Sequence, residues 1–144
     1  MAVSAKWYGN AFLKAFNKEI DFDTDTTKVM LCTSTYVPDQ DVHDYKDDVT
    51  NEVTGTGYTA GGATLANKTI GYTAGTNVVK LDADDTSWTT STITARYAVI
   101  YVDTGTASTS PLLGYVDFGE DKSSSAGTFL IQWSADGIFK LTVS

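Results

Sequence analysis

The chain reads as a mainly β protein, an antiparallel β-sandwich or partly closed barrel with a short N-terminal helix and one further short helix. Three observations lead there. The run Ser91–Asp103 (STITARYAVIYVD) is rich in β-branched and aromatic residues and holds neither Gly nor Pro. From Ala63 onward, apolar and polar residues alternate in short stretches, the two-residue period of strands with one wet face. Between those stretches lie GTN, DDTS, TGTAST, GEDKSSSAG and SADG, all turn chemistry.

Ser91–Asp103 is apolar on both faces over its second half, so it belongs at the centre of a sheet and not at a solvated edge. Simple alternation puts Ile93, Ala95, Tyr97, Val99 and Tyr101 on one face and Ala98, Ile100 and Val102 on the other. At 144 residues and 15.4 kDa one domain is expected, residues 1–144. Its folded surface should be about 7,000 Å² against roughly 22,000 Å² for the extended chain. That buries enough for a core without metal or disulfide.

In chain order, Ser4–Lys18 (SAKWYGNAFLKAFNK) is the helix candidate. Ser4 stands at the N-cap, and Trp7, Ala11, Leu13, Ala15 and Phe16 mix with Tyr8 and Phe12 in a broad apolar stripe. Such an aromatic helix serves as a lid over a sheet face, or as an arm reaching a neighbouring subunit. Asp21, Asp23 and Asp25 imitate the start of a calcium loop. The pattern then fails, with Thr26 where Gly is needed and Cys32 where a bidentate Glu belongs. A polar turn leading into a strand over Lys28–Ser34 is the better reading. The lone Cys32 has no internal disulfide partner and reads as a buried strand residue.

Val37–Val53 holds six acidic residues with His43 and Lys46. It fits a solvated charged face and also a short helix after Pro38, with Asp39 or Asp41 as cap. A single histidine supports neither a metal site nor a catalytic triad. The glycine-rich Gly55–Gly62 is followed by a strand pattern instead of a helix, so it is a surface connection and not a phosphate cradle. Six strands follow: Ala63–Tyr72, Asn77–Ala83, Ser91–Asp103, Pro111–Phe118, Thr128–Trp133 and Ile138–Val143. Asp136-Gly137 turns the last hairpin. Asp82, Asp84 and Asp85 before Trp88 evoke a sugar site, two carboxylates beside a stacking ring, but their sequence is that of a solvated turn.

Net charge of −8, pI near 4.3 and only ten scattered basic residues argue against nucleic acid and anionic membranes as partners. No stretch approaches the roughly 20 apolar residues of a membrane span, and MAVSAKWYGN lacks the pattern of a secretory signal. Synthesis in the cytoplasm is expected. No catalytic residue, cofactor or metal site emerges, which leaves a surface for binding as the expected mode of action.

Three long runs carry a family resemblance: KWYGNAFLKAFNKEIDFDTDTTKVMLCTSTYVPDQDVHDY, VKLDADDTSWTTSTITARYAVIYVDTG and LLGYVDFGEDKSSSAGTFLIQW. Together they cover most of the chain, and it resembles small virion structural proteins of tailed bacteriophages. The resemblance implies a protein without enzymatic activity, located in the virion. The form expected first is a capsid decoration, or cement, protein on the outer capsid surface. It would bind the major capsid protein lattice and self-associate, with a trimer as the expected assembly. The alternative is a tail or neck component stacked in rings by strand-edge pairing, and a carbohydrate-binding domain comes third. On the first reading the expected protein contacts are Trp7, Tyr8 and Phe12 of the N-terminal helix and the loop residues Tyr58 and Trp88.

Overall fold

The structure is a computed structural model and describes residues 2–144; Met1 of the expected domain lies outside the described residues. It is mainly β, two antiparallel sheets with one short helix. The larger sheet has five strands in the order β1-β7-β6-β2-β3 and the smaller has three in the order β4-β5-β8. Their ranges are β1 Ser4–Trp7, β2 Thr27–Cys32, β3 Ala63–Thr64, β4 Thr69–Thr73, β5 Val78–Asp82, β6 Thr86–Val102, β7 Leu112–Ile131 and β8 Phe139–Thr142. The sheets face each other across one core and do not close into a barrel. The accessible surface is 7519 Å², close to the value expected from the mass.

Ser91–Asp103 lies at the centre as its composition requires. It forms the second half of β6 and pairs with β2 on one side and β7 on the other. Residues Ala98 to Val102 are essentially inaccessible to solvent, with side chains alternating between two separate cores. The main core, between the sheets, takes Ile93, Ala95, Ala98, Ile100 and Val102. The second core, on the far face of the larger sheet, takes Val99 and Tyr101 with Tyr97 at its margin. Alternation therefore breaks at Arg96, and Ile93 and Ala95 lie on the opposite side from the one simple counting assigns. The cause is a bulge. Ala95 pairs with Lys122 but Tyr97 pairs with Asp117, so β7 spends five steps where β6 spends two. Arg96 staples it, with Nε donating to Asp117 Oδ1 at 2.7 Å while Gly119 N–H donates to the same oxygen at 2.8 Å.

The N-terminal segment differs from the expected helix. Ser4–Trp7 is a strand paired antiparallel to Asp117–Gly114 of β7, and the helix, α1, is confined to Asn10–Phe16 with Gly9 at its N-cap. At the end of β1 the side chains of Trp7 and of Tyr8 just after it leave in opposite directions, into the main and the second core respectively. A helix from Ser4 would lay these adjacent residues on one broad side and could not reach both cores. The further short helix expected within Val37–Val53 is one 3-10 turn, Lys46–Asp48, and a second 3-10 turn spans Ala107–Thr109.

Two expected strand boundaries also move. Pro111–Phe118 and Thr128–Trp133 belong to one 20-residue strand, β7, because the GEDKSSSAG segment continues the ladder with β6. Ala63–Tyr72 is divided between β3 and β4, which lie in different sheets. Gly62, just before β3, has φ +83, and a Cβ there would stand 1.8 Å from the Val29 carbonyl oxygen. Only glycine permits this close crossing over β2.

Candidate functional site

The five aromatic residues expected at a contact surface are mostly structural. Trp7 is half-buried and stacks on Phe139 of β8 at 4.6 Å between ring centroids, with Phe12 of α1 at 4.9 Å. Its indole N–H donates to the Lys140 carbonyl at 3.3 Å. Trp7 thus ties the larger sheet, the helix and the smaller sheet together at one corner. Tyr8 is fully buried, its hydroxyl 2.8 Å from that of Tyr36, and burial drives its pKa far above the ordinary phenol value. Tyr36 in turn lies 3.0 Å from His43 Nδ1, which accepts the Asp39 N–H at 3.3 Å. His43 is thereby part of the hydrogen bonding that folds the acidic segment over the second core.

Tyr58 donates to Glu52 Oε1 at 2.7 Å and accepts the Leu31 N–H at 3.0 Å. The same Glu52 oxygen accepts from Gly61 N–H at 2.6 Å, so one carboxylate pins the glycine-rich connection to β2. Trp88 is only 6% exposed. It packs beside Tyr58 at 5.9 Å and edge-on against Phe129 at 6.1 Å. It belongs to β6, not to a turn, and its ring faces the core.

The acidic clusters are likewise occupied with local structure. Asp21 Oδ1 accepts from Thr24 N–H and Asp25 Oδ2 from Asp21 N–H, which closes the turn before β2. Asp84 accepts from Asn67 Nδ2 at 2.6 Å, and Asp85 from the Trp133 N–H at 2.8 Å. Asp82 lies 3.6 Å from Lys80. Among the described residues no three His, Cys, Asp or Glu side chains converge as metal ligands. Lys14 on α1 donates to the Tyr45 hydroxyl at 2.7 Å and lies 3.3 Å from Asp44, and the Tyr45 bond holds its pKa above the ordinary lysine value. Burial pushes the Cys32 thiol up to about 12, so it stays protonated and inert near neutral pH.

What the molecule offers outward is found elsewhere. A cleft of about 590 Å³ opens at the side of the sandwich, floored by Val116, Phe118, Phe129 and Ile131 and bounded by Val3 and Leu130. A second, of about 450 Å³, lies between the end of α1 and β4, where Ala15, Ile20 and Phe22 meet Ile70. Around these stand large apolar side chains in contact with water. Phe16 is 88% exposed, and Ile70 and Tyr72 of β4 are 48% and 56% exposed. These surface positions were missed in the sequence because each lies in a segment whose pattern assigns it to a helix stripe or a strand face. The available signal was the absence of charge from Thr69 to Thr73.

The fold and these surfaces define a two-sheet β-sandwich whose polar clusters maintain its own loops and whose apolar residues emerge at strand edges and at the end of α1. No family model matches the chain, and no curated protein or solved structure matches it either.

Proposed function

We propose that this protein is a non-enzymatic structural component of a phage virion, a decoration (cement) protein that binds and stabilises the lattice of the major capsid protein. The observation that carries the reading is the distribution of side chains. The carboxylates of Glu52, Asp84, Asp85 and Asp117, with His43, are engaged in holding loops and bulges, while Phe16, Ile70, Tyr72 and Leu130 face water. Leu130 and Ile70 stand at two apolar clefts, and apolar clefts open to water on a small acidic domain support a role in contact with other proteins. Many weak contacts repeated over a lattice hold such a module in place by avidity. Its net charge of −8 favours solubility before assembly and repels the packaged nucleic acid.

The test is addition to capsids. Purified protein mixed with expanded capsids lacking decoration should co-sediment with them, saturate at a fixed ratio to the lattice subunit, and raise their resistance to heat. Failure to bind, with the protein found instead in neck or tail by electron microscopy, would replace this reading with the tail alternative. That second reading has its own support in the open edge of β4, because ring-forming subunits commonly pair at strand edges.

A further inference from the structure

The strand edges of this protein are unequally guarded. Among the described residues, β1 and β3 end the larger sheet, β4 and β8 end the smaller one, and β7 has no outer neighbour beyond Asp117. Likewise β6 has no outer strand before Tyr97, where the Gly55–Gly57 connection lies against its bulged margin and Thr92 N–H donates to the Thr56 carbonyl. An unpaired edge presents free N–H and C=O groups to any other strand, and proteins blunt it with charge, brevity or bulges. β1 carries Lys6, β8 carries Lys140, and β3 is two residues long. The outer margin of β7 carries Glu120, Asp121 and Lys122 together with its bulges. β4 is different. Its sequence Thr69-Ile70-Gly71-Tyr72-Thr73 has no charge, no proline and no break in its pairing with β5, and all five residues are exposed.

We propose that β4 is a homodimer edge, pairing antiparallel with β4 of a second copy across a two-fold axis at Gly71. The register follows from the strand itself. Centring on Gly71 is the antiparallel alignment that uses all five residues, and it sets Ile70 against Tyr72 of the second copy and Thr69 against its Thr73. Aromatic and β-branched residues directly opposed are favoured cross-strand pairs. Two three-stranded sheets then become one of six, and the contact is isologous as a two-fold requires.

A second copy suits this edge better than an unrelated strand for two reasons. The strand is uncharged, so the net charge of −8 is not concentrated where the copies meet. The exposed apolar area also suits a small, self-complementary contact. Ile70 and Tyr72 leave roughly 200 Å² exposed, taking about 150–250 Å² for a large side chain. A standard interface takes about 800 Å² from each partner. The two side chains cover about a quarter of that and the backbone of the five-residue ladder adds to it, which makes a weak dimer that dissociates on dilution. The pairing is two-fold, so the three-fold assembly expected from the family resemblance has no part in it. It needs no capsid, and its failure would leave the proposed lattice binding untouched.

Gly71 makes the test clean. Its φ is not positive, and an added Cβ meets nothing within 4 Å, so substitution there leaves the monomer undisturbed. Directly opposed residues of antiparallel strands have Cα atoms about 4.5–5.5 Å apart, within the span of a disulfide. Gly71→Cys should therefore form a disulfide-linked dimer under mild oxidation, while Thr73→Cys, placed opposite Thr69, should not. The native Cys32 is buried and does not compete. In sedimentation equilibrium the wild type should show a concentration-dependent dimer. Gly71→Lys, which sets two ammonium groups face to face at the axis, should weaken it at least tenfold while leaving the melting temperature of the dilute monomer unchanged. Four results would each overturn the proposal: a monomeric wild type with no Gly71→Cys cross-link, a dimer indifferent to Gly71→Lys, preferential cross-linking of Thr73→Cys, or rings and tubes from head-to-tail pairing of β4 with β8.

Discussion

Trp88→Ala measures how much this ring contributes to the main core at the start of β6. Trp88 stands directly opposite Phe129 on the neighbouring strand and beside Tyr58 from the glycine-rich connection, and it is 6% exposed. Truncation returns about 200 Å² of apolar surface to water or to an empty cavity, worth about 5 kcal/mol at ~25 cal/mol per Å². Large-to-small changes of this kind cost about 3–5 kcal/mol, because neighbouring side chains relax only in part. For a domain of this length that is a fall in melting temperature of roughly 10–15 °C. Thermal melts followed by far-ultraviolet circular dichroism and urea titrations of both proteins give the number. A loss below about 1 kcal/mol would refute the placement of Trp88 in the core and return it to the surface, where a sugar could stack on it.

Val99→Asp should give no soluble, cooperatively melting protein, because Val99 is wholly enclosed in the second core and a carboxylate there has no partner; expression and solubility assays decide it. Gly62→Ala should destabilise by about 3 kcal/mol or more in urea titrations, since the residue has φ +83 and its Cβ would collide with the Val29 carbonyl. Arg96 holds the Asp117 carboxyl below the ordinary carboxylate range. A folded-state pKa below the unfolded value adds stability that is present above about pH 4 and lost as pH falls through the folded value. The pair is open to solvent, so screening keeps its contribution small. Stability of Asp117→Asn relative to wild type, measured from pH 7 downward, should show a deficit that narrows below about pH 4; a deficit independent of pH would contradict the role given to the ion pair.

The parts of the fold legible in the sequence are those decided by one strand alone. The second half of β6 is apolar on both faces wherever it is placed, so its central position followed from composition. The errors arise where a second strand decides. Nothing in residues 91–103 announces the bulge at Arg96, because the extra residues that cause it sit on β7 between Asp117 and Lys122. Ser4–Trp7 is too short to declare its period, and only the exposed edge of β7 makes it a strand. GEDKSSSAG looks like a turn because it is polar, and it is polar because most of it is exposed at the outer margin of the larger sheet while it continues the ladder with β6. For Trp88 a signal existed and was outweighed. Thr86, Trp88 and the later Phe129 and Ile131 keep a two-residue spacing, yet the preceding Asp84-Asp85 drew the reading towards a turn.

The same contrast bears on where a contact surface should be sought. Large aromatic side chains are attractive candidates because they dominate many interfaces. In a sandwich of five strands against three, however, the smaller sheet cannot cover the larger, and bulky rings are needed at the margins to close the core. Trp7 against Phe139 and Trp88 against Phe129 do this from opposite ends of the larger sheet's strands, and Tyr58 and Tyr8 tie the connections over its faces. Rings engaged in that way are not free to leave for a partner without opening the core. The residues that are free, Ile70, Tyr72 and Phe16, sit where the fold runs out of strands to cover them. A surface for other proteins is therefore better read from unguarded strand edges than from aromatic content, and in this chain the two criteria point to different residues.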